Sequence, residues 1–163
     1  LMDLALPYDI LTRARRPDDQ TQRAFELFTV SRSKDLVTCE GGIQILPQHI
    51  YPDAQVYDAL LVPGGSGAAE AIKNLRLMNW FGRAAKLAKV VAAIGTGTLI
   101  LAASGILGDR RVAYTSELDE TYHQVRSSPG EEVIRDGNII TTGSSEFGVE
   151  LGKAIITYFE ERI

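Results

Sequence analysis

The densest apolar pattern in the chain is a short run, a turn and a second run near its middle. Residues 90–94 are all apolar, start with two valines and are too few for a helix, so they predict a strand buried on both faces. Residues 98–103 predict a compact buried helix that is closed by Gly105. The turn between them consists of Gly95, Thr96 and Gly97. We therefore expect Gly95 at the carboxyl edge of a sheet, on the positive end of a helix dipole.

Similar patterns alternate along the rest of the chain. Helical spacing of apolar residues predicts helices over residues 4–14, 75–89 and 147–162. Extended segments are predicted over residues 22–30, 37–39, 43–46, 57–62, 112–115, 132–135 and 139–142. This alternation predicts an α/β fold, a flavodoxin-like doubly wound sandwich with a mainly parallel central sheet.

Composition narrows the class of protein. The 163 residues are 45% hydrophobic and 23% charged, which predicts a single soluble domain over residues 1–163. The net charge of −4 argues against direct nucleic-acid binding, and we interpret the basic residues 13–16 as complementing a helix dipole. No stretch has membrane-spanning length, and the single cysteine excludes an internal disulfide. We expect a cytoplasmic protein without a metal or cofactor.

The roles of three polar side chains outside the central turn are inferred from their neighbours in the sequence. Cys39 lies in a predicted hairpin, away from any helix N-terminus that would lower its pKa, so a structural thiol is favoured over a nucleophile. His49 lies in a polar loop and is interpreted as a surface residue rather than a base. Asn74 is predicted to cap the helix that follows it.

Three motifs resemble one family. The segment A-I-G-T-G-T-L-I-L-A-A-S-G-I-L-G-D-R-R resembles the nucleophile elbow of the ThiJ/PfpI superfamily, relatives of the class I glutamine amidotransferases. A buried strand that ends in P-G-G at residues 63–65 resembles the family's second signature, and I-R-D-G-N-I-I-T-T-G resembles its carboxyl-terminal pattern. The most similar subgroup is the isonitrile hydratases, together with the amidotransferase-like domains fused to AraC-type regulators. The resemblance implies that the first strand of the fold is missing from this sequence.

The resemblance implies that the elbow of this chain lacks the nucleophile of the family. Family members carry a cysteine there, held at φ > 0, whereas this chain has Gly95, which adopts that conformation without steric cost but has no nucleophile. Asp3 matches the acid that hydrogen-bonds the thiol; from the sequence alone it could instead cap the first helix. The N–H groups of Gly65 and Thr96 match an oxyanion hole.

The remaining positions of the family site have no catalytic base. The family histidine aligns with Thr115 or Ser116, and His123 would need a loop rearrangement to reach the elbow. Gly64, Thr115 and Ser144 are predicted to complete a ligand-binding site with the oxyanion groups.

Two functional hypotheses follow. The chain is either an inactive domain that binds a small molecule or anion at the vacated elbow, or an isonitrile hydratase-like or amidase-like enzyme whose cysteine has been replaced. The first is favoured for the sequence as it stands. The resemblance also implies a homodimer.

Overall fold

The chain folds as alternating helices and strands. The computed structural model describes residues 1–53, 57–113, 126–128 and 132–162, and only the backbone of 126–128. The helices are α1 (Met2–Arg13), α2 (Ala68–Ala71), α3 (Leu75–Leu87), α4 (Gly97–Ala103) and α5 (Gly148–Glu160), with a 3₁₀ turn at Ser145–Phe147. The strands are β1 (Val30–Ser31), β2 (Val37–Thr38), β3 (Gln44–Ile45), β4 (His49–Ile50), β5 (Ala59–Val62), β6 (Val90–Ile94), β7 (Arg111–Ala113), β8 (Arg126–Ser128), β9 (Ile134–Asp136) and β10 (Ile139–Thr142).

The central sheet is mixed and mainly parallel. Its strand order is β5-β6-β10-β9, in which β5 and β10 run parallel to β6 and β9 runs antiparallel to β10. Gly137, at φ 64°, makes the turn between β9 and β10, as the D-G-N pattern predicts. The smaller pairs are β7 with β8, β1 with β4, and the predicted hairpin of β2 with β3.

The central strand β6 is buried on both sides because helices cover both faces of the sheet. Val91 and Ala93 belong to a core cluster with residues of α3 and α4. Val90, Ala92 and Ile94 belong to a second cluster with residues of α1 and α5. Every residue of β6 is 0% exposed, which agrees with the fully apolar run in the sequence.

The strand predicted over residues 22–30 is wrong over most of its length. Phe25 and Leu27 pack against the second core cluster, so the alternation that suggested a strand reflects real burial. Within the described residues, however, this backbone joins a strand ladder only at Val30; Arg23 makes one isolated bridge to Arg15. Side-chain periodicity reports burial, whereas a strand also requires a partner for its backbone.

The helix predicted over residues 75–89 is confirmed with a shorter end. Asn74 caps it by accepting a hydrogen bond from the Leu77 N–H at 3.0 Å. The helix stops at Leu87, and Lys89 pairs with Asp58 at 2.8 Å instead of completing the last helical turn.

Candidate functional site

The candidate site lies where three strands end at one edge of the sheet. Val62 at the end of β5 is in register with Ala93 of β6, and Thr142 at the end of β10 is in register with Ile94. The Gly95 N–H continues this ladder by donating to the Thr142 carbonyl at 2.8 Å. The turns after these strands therefore meet around Gly95, as the motifs predicted.

Gly95 has the backbone of a nucleophile elbow. Its φ is +51°, and its carbonyl accepts a hydrogen bond from the Thr98 N–H at 3.0 Å as α4 begins. A Cβ at Gly95 would lie 3.6 Å from the Gly143 carbonyl and 3.9 Å from Asp3 Oδ2, both ordinary contacts. The position has room for a side chain, and only the left-handed backbone would be strained.

Two further glycines allow the strand ends to come this close. A Cβ at Gly64 would lie 2.6 Å from Asp3 Oδ2 and 2.7 Å from the Ile94 carbonyl. A Cβ at Gly97 would collide with the Val62 carbonyl. Contact between the turn after β5 and the elbow therefore depends on glycine at both positions.

Asp3 faces the elbow and does not cap its helix. It lies in the first turn of α1, whose N-cap is Leu1 without a side-chain hydrogen bond, so the capping interpretation is wrong. Its half-buried Oδ2 accepts a hydrogen bond from the Gly64 N–H at 3.0 Å. The carboxyl group is thereby fixed beside the position that a side chain at Gly95 would occupy.

Close packing on α5 positions the helix that carries Asp3. A Cβ at Gly148 would lie 2.9 Å from Leu6 Cβ, and one at Gly152 would lie 3.0 Å from Ile10 Cβ. The two glycines are four residues apart and lie on the face of α5 that meets α1. They allow α1 and α5 to pack close together, and this close packing positions Asp3 beside Gly64.

Thr96 is hydrogen-bonded twice to the turn after β5. Its Oγ1 accepts from the Gly65 N–H at 2.8 Å and donates to the Gly65 carbonyl at 3.0 Å. Gly65 is at φ 129°, a backbone that favours glycine. One of the two N–H groups predicted for an oxyanion hole is thus engaged by the neighbouring hydroxyl in this structure.

The other predicted positions divide between the site and its surroundings. Ser144 follows β10 at the same sheet edge, and its Oγ accepts a hydrogen bond from the Glu146 N–H at 3.2 Å, which caps the 3₁₀ turn. Thr115, Ser116 and His123 lie outside the described residues.

Cys39 and His49 are not part of the elbow segments. Cys39 is a half-buried free thiol beside the turn that joins β2 and β3. His49 belongs to β4 and its ring packs edge-on against Phe28, with 5.1 Å between the centroids, so its interpretation as a loop residue is wrong. Within the described chain, no group of three or more His, Cys, Asp and Glu side chains is arranged to hold a metal ion.

Two features of the site were missed in the sequence. Gly97 begins a helix, where glycine is a poor helix former, and that mismatch was a usable sign of close approach. The Thr96–Gly65 hydrogen bonds left no such sign, because they join residues 31 positions apart.

The comparisons with known proteins agree with this geometry. A profile described as the DJ-1/PfpI family matches residues 1–158, and the chain therefore belongs to the DJ-1/PfpI family. Among its relatives is an isonitrile hydratase of Pseudomonas putida, 31% identical over 156 residues. That match covers 91% of this chain and 62% of the relative.

Other relatives and solved structures extend the family relationship. The uncharacterized protease YoaZ of Bacillus subtilis is 28% identical over 147 residues, covering 83% of this chain and 69% of its own length. A ThiJ/PfpI family protein of Pseudomonas syringae superposes with a TM-score of 0.81 at 23% identity, over 98% of this chain and 66% of that one. Drosophila melanogaster DJ-1beta superposes with a TM-score of 0.78 at 21% identity, over 94% of this chain and 81% of that one. These likenesses show the DJ-1 fold.

No helix in the described ranges is both long and apolar enough to cross a membrane.

Proposed function

We propose that this chain is a DJ-1/PfpI domain without thiol catalysis at its elbow, which binds a small molecule there. The observation that carries the proposal is Gly95 at φ +51°, in an elbow whose supporting contacts are formed. The strained backbone suited to a nucleophile is present, and the nucleophile is not. The single cysteine of the chain, Cys39, belongs to the β2–β3 hairpin.

The polar groups at the elbow favour a ligand with two kinds of polar atom. Asp3 presents a carboxyl group that accepts a hydrogen bond from a ligand N–H or O–H. The Thr96 N–H, at the turn where α4 begins, suits a carbonyl or carboxylate oxygen. A primary amide, a formamide or a small protonated carboxylic acid has both kinds of atom.

The alternative is an isonitrile hydratase-like or amidase-like enzyme with a replaced nucleophile. It is supported by the 31% identity to the isonitrile hydratase and by the position of Asp3. In such an enzyme a thiolate at position 95 would add to the isonitrile carbon while Asp3 delivers a proton to that carbon. Water would then displace the thiol, so that the net change is addition of one water to give a formamide.

Restoring the thiol separates the two functions. Gly95→Cys would be made in a Cys39→Ser background, so that the new thiol is the only one in the protein. The backbone strain costs about 1–3 kcal/mol, which a domain of this size tolerates. We expect the thiol to react with iodoacetamide at a pH below that of an ordinary cysteine, because the elbow favours the thiolate.

Turnover then decides the function. On our proposal, the folded and thiol-reactive variant shows no turnover of any isonitrile, amide or glyoxal. Hydration or hydrolysis that appears in Gly95→Cys and disappears on adding Asp3→Asn would establish the enzyme alternative. Cys39→Ser alone is the control and should show neither reactivity nor turnover.

We also infer that the sheet is doubly wound in the flavodoxin-like manner. The support is the placement of α3 and α4 against one face of β6 and of α1 and α5 against the other. The candidate ligand site then lies at the carboxyl edge of the parallel strands, where open α/β sheets bind ligands.

A further inference from the structure

A cleft that shares no residue with the elbow lies between α3 and the segment that follows β4. Its volume is about 650 Å³, and it is lined by Tyr51, Pro52, Asp53, Arg76, Asn79, Trp80, Arg83 and Leu87. The α3 residues in this lining, at positions 76, 79, 80, 83 and 87, recur every three or four residues. They therefore form one continuous face of the helix.

Two arginines, Arg76 and Arg83, and one carboxylate, Asp53, line this cleft. Within the described residues, neither Arg76 nor Arg83 forms an ion pair, whereas Lys73 and Lys89 at the two ends of α3 pair with Glu70 and Asp58. The sequence has no Asp or Glu between residues 71 and 107, although the net charge of the protein is −4. With two arginines against the single carboxylate of Asp53, the lining of the cleft carries a net positive charge on an acidic protein.

The aromatic wall of the cleft is fixed in place. The Trp80 indole N–H donates to the Pro52 carbonyl at 2.7 Å, and the Trp80 ring lies 6.0 Å from that of Tyr51. The Arg76 guanidinium stacks over the Tyr51 ring, 4.7 Å from its centroid. Tyr51 has φ +40°, a strained conformation for a residue with a side chain, and the surrounding contacts hold it there.

We propose that this cleft binds a small organic anion, a phosphate or carboxylate attached to a flat ring. Arg76 and Arg83 would pair with the anionic group, and Asn79 between them would add a hydrogen bond. The half-buried Tyr51 would contact the ring beside the small exposed part of Trp80, which is 8% exposed, and Leu87 and Pro52 would cover the edge of the ring. The site is separate from the elbow and does not depend on which function the elbow has.

Trp80 makes the test direct, because it is the only tryptophan in the chain. Its fluorescence would be followed while phenyl phosphate, benzoate or inorganic phosphate is added to the full chain, with benzyl alcohol as the neutral comparison. We expect a saturable change with phenyl phosphate or benzoate, a weaker response to inorganic phosphate and none with benzyl alcohol. The response should weaken as salt is added, because the contacts are ionic.

Matched variants identify the arginines as the anion contacts. Arg76→Gln and Arg83→Gln should each weaken binding by about tenfold, as expected for loss of one charge-assisted hydrogen bond. Lys86→Gln, on the same helix but outside the cleft, should leave the affinity unchanged. Circular dichroism would verify that each variant is folded.

Two outcomes would overturn the proposal. One is the absence of a saturable fluorescence change with any anion up to about 10 mM. The other is an equal response in the Arg76→Gln/Arg83→Gln double variant, which would mean that the anion binds elsewhere. Neither outcome affects the elbow experiment, which uses a different residue and a different readout.

Discussion

At the scale of single residues, Thr96 holds the elbow turn against the turn that follows β5. Its hydroxyl occupies the N–H and the carbonyl of Gly65 together, at 2.8 and 3.0 Å. A ligand oxygen that uses the Gly65 N–H has to displace this hydroxyl. The Thr96 side chain therefore competes with the ligand for one donor of the site.

Thr96→Val tests this interaction. The change keeps the shape and removes both hydrogen bonds, so we expect a loss of about 1–2 kcal/mol in the free energy of unfolding. Thr96→Ser, which keeps the hydroxyl, should lose much less. Urea denaturation measures both, and a Thr96→Val protein as stable as the parent would show that water replaces the hydroxyl without cost.

The residue-scale predictions from sequence succeeded where a motif fixed the backbone. The positive φ of Gly95 is the conformation that the resemblance to the family's nucleophile elbow implies. For Asp3 two interpretations remained, and only the three-dimensional placement of α1 decided between them. Sequence shows which group is present, but which partner it meets depends on tertiary packing.

At the scale of elements, the contact between α1 and α5 sets the position of Asp3. A Cβ at Gly148 would come within 2.9 Å of Leu6 Cβ, and one at Gly152 within 3.0 Å of Ile10 Cβ, which is closer than Cβ atoms usually approach. Any bulk on this face of α5 would push α1 outwards and withdraw the carboxyl group from Gly64.

Gly152→Ala should destabilise the protein despite its better helix propensity. Overpacking costs about 1–3 kcal/mol, and alanine in a helix recovers only about 1 kcal/mol of it. Gly82→Ala in α3 is the matched control, since its Cβ would meet nothing closer than 3.8 Å, and it should stabilise. Thermal unfolding of the two variants should therefore shift in opposite directions.

Element types were predictable from sequence, and their bounds were less so. The strand predicted over residues 90–94 matches β6 to the residue, because a short and fully apolar run is typical of a strand that is buried on both faces. Residues 22–29 show the opposite case, in which burial of alternate side chains occurs without strand pairing. Local pattern does not reveal whether a neighbouring strand is available.

At the scale of the whole molecule, an ion pair ties the antiparallel edge of the sheet to the end of α5. Arg135 of β9 donates to Glu161, which follows α5, at 2.6 Å. The hydrogen bond from Arg135 lowers the pKa of Glu161 below its ordinary value of 4.5. A carboxyl group with a lowered pKa stabilises the fold above its ordinary pKa, and the contribution is lost as the pH falls through the lowered pKa.

Glu161→Gln should therefore reduce the melting temperature at neutral pH, and its effect should diminish as the pH falls below 4.5 and the parent's own carboxyl group becomes protonated. Glu160→Gln, one residue earlier in the chain, is the control. Scanning calorimetry at several pH values would follow the difference. A deficit that is constant across the whole range would attribute the effect of Glu161 to packing instead of charge.

The packing of α1 on α5 also has a consequence for the order in which the protein is made. Synthesis proceeds from the amino terminus, so Asp3 is present long before the ribosome reaches Gly148 and Gly152, on which its helix packs. Its partner Gly64 is 61 residues away, and the contact between α1 and α5 spans most of the chain. Such distant contacts close late, because the entropy of the intervening loop must be lost first. The acid of the elbow is synthesised well before the helix on which α1 packs, and it takes its place only when that distant contact closes.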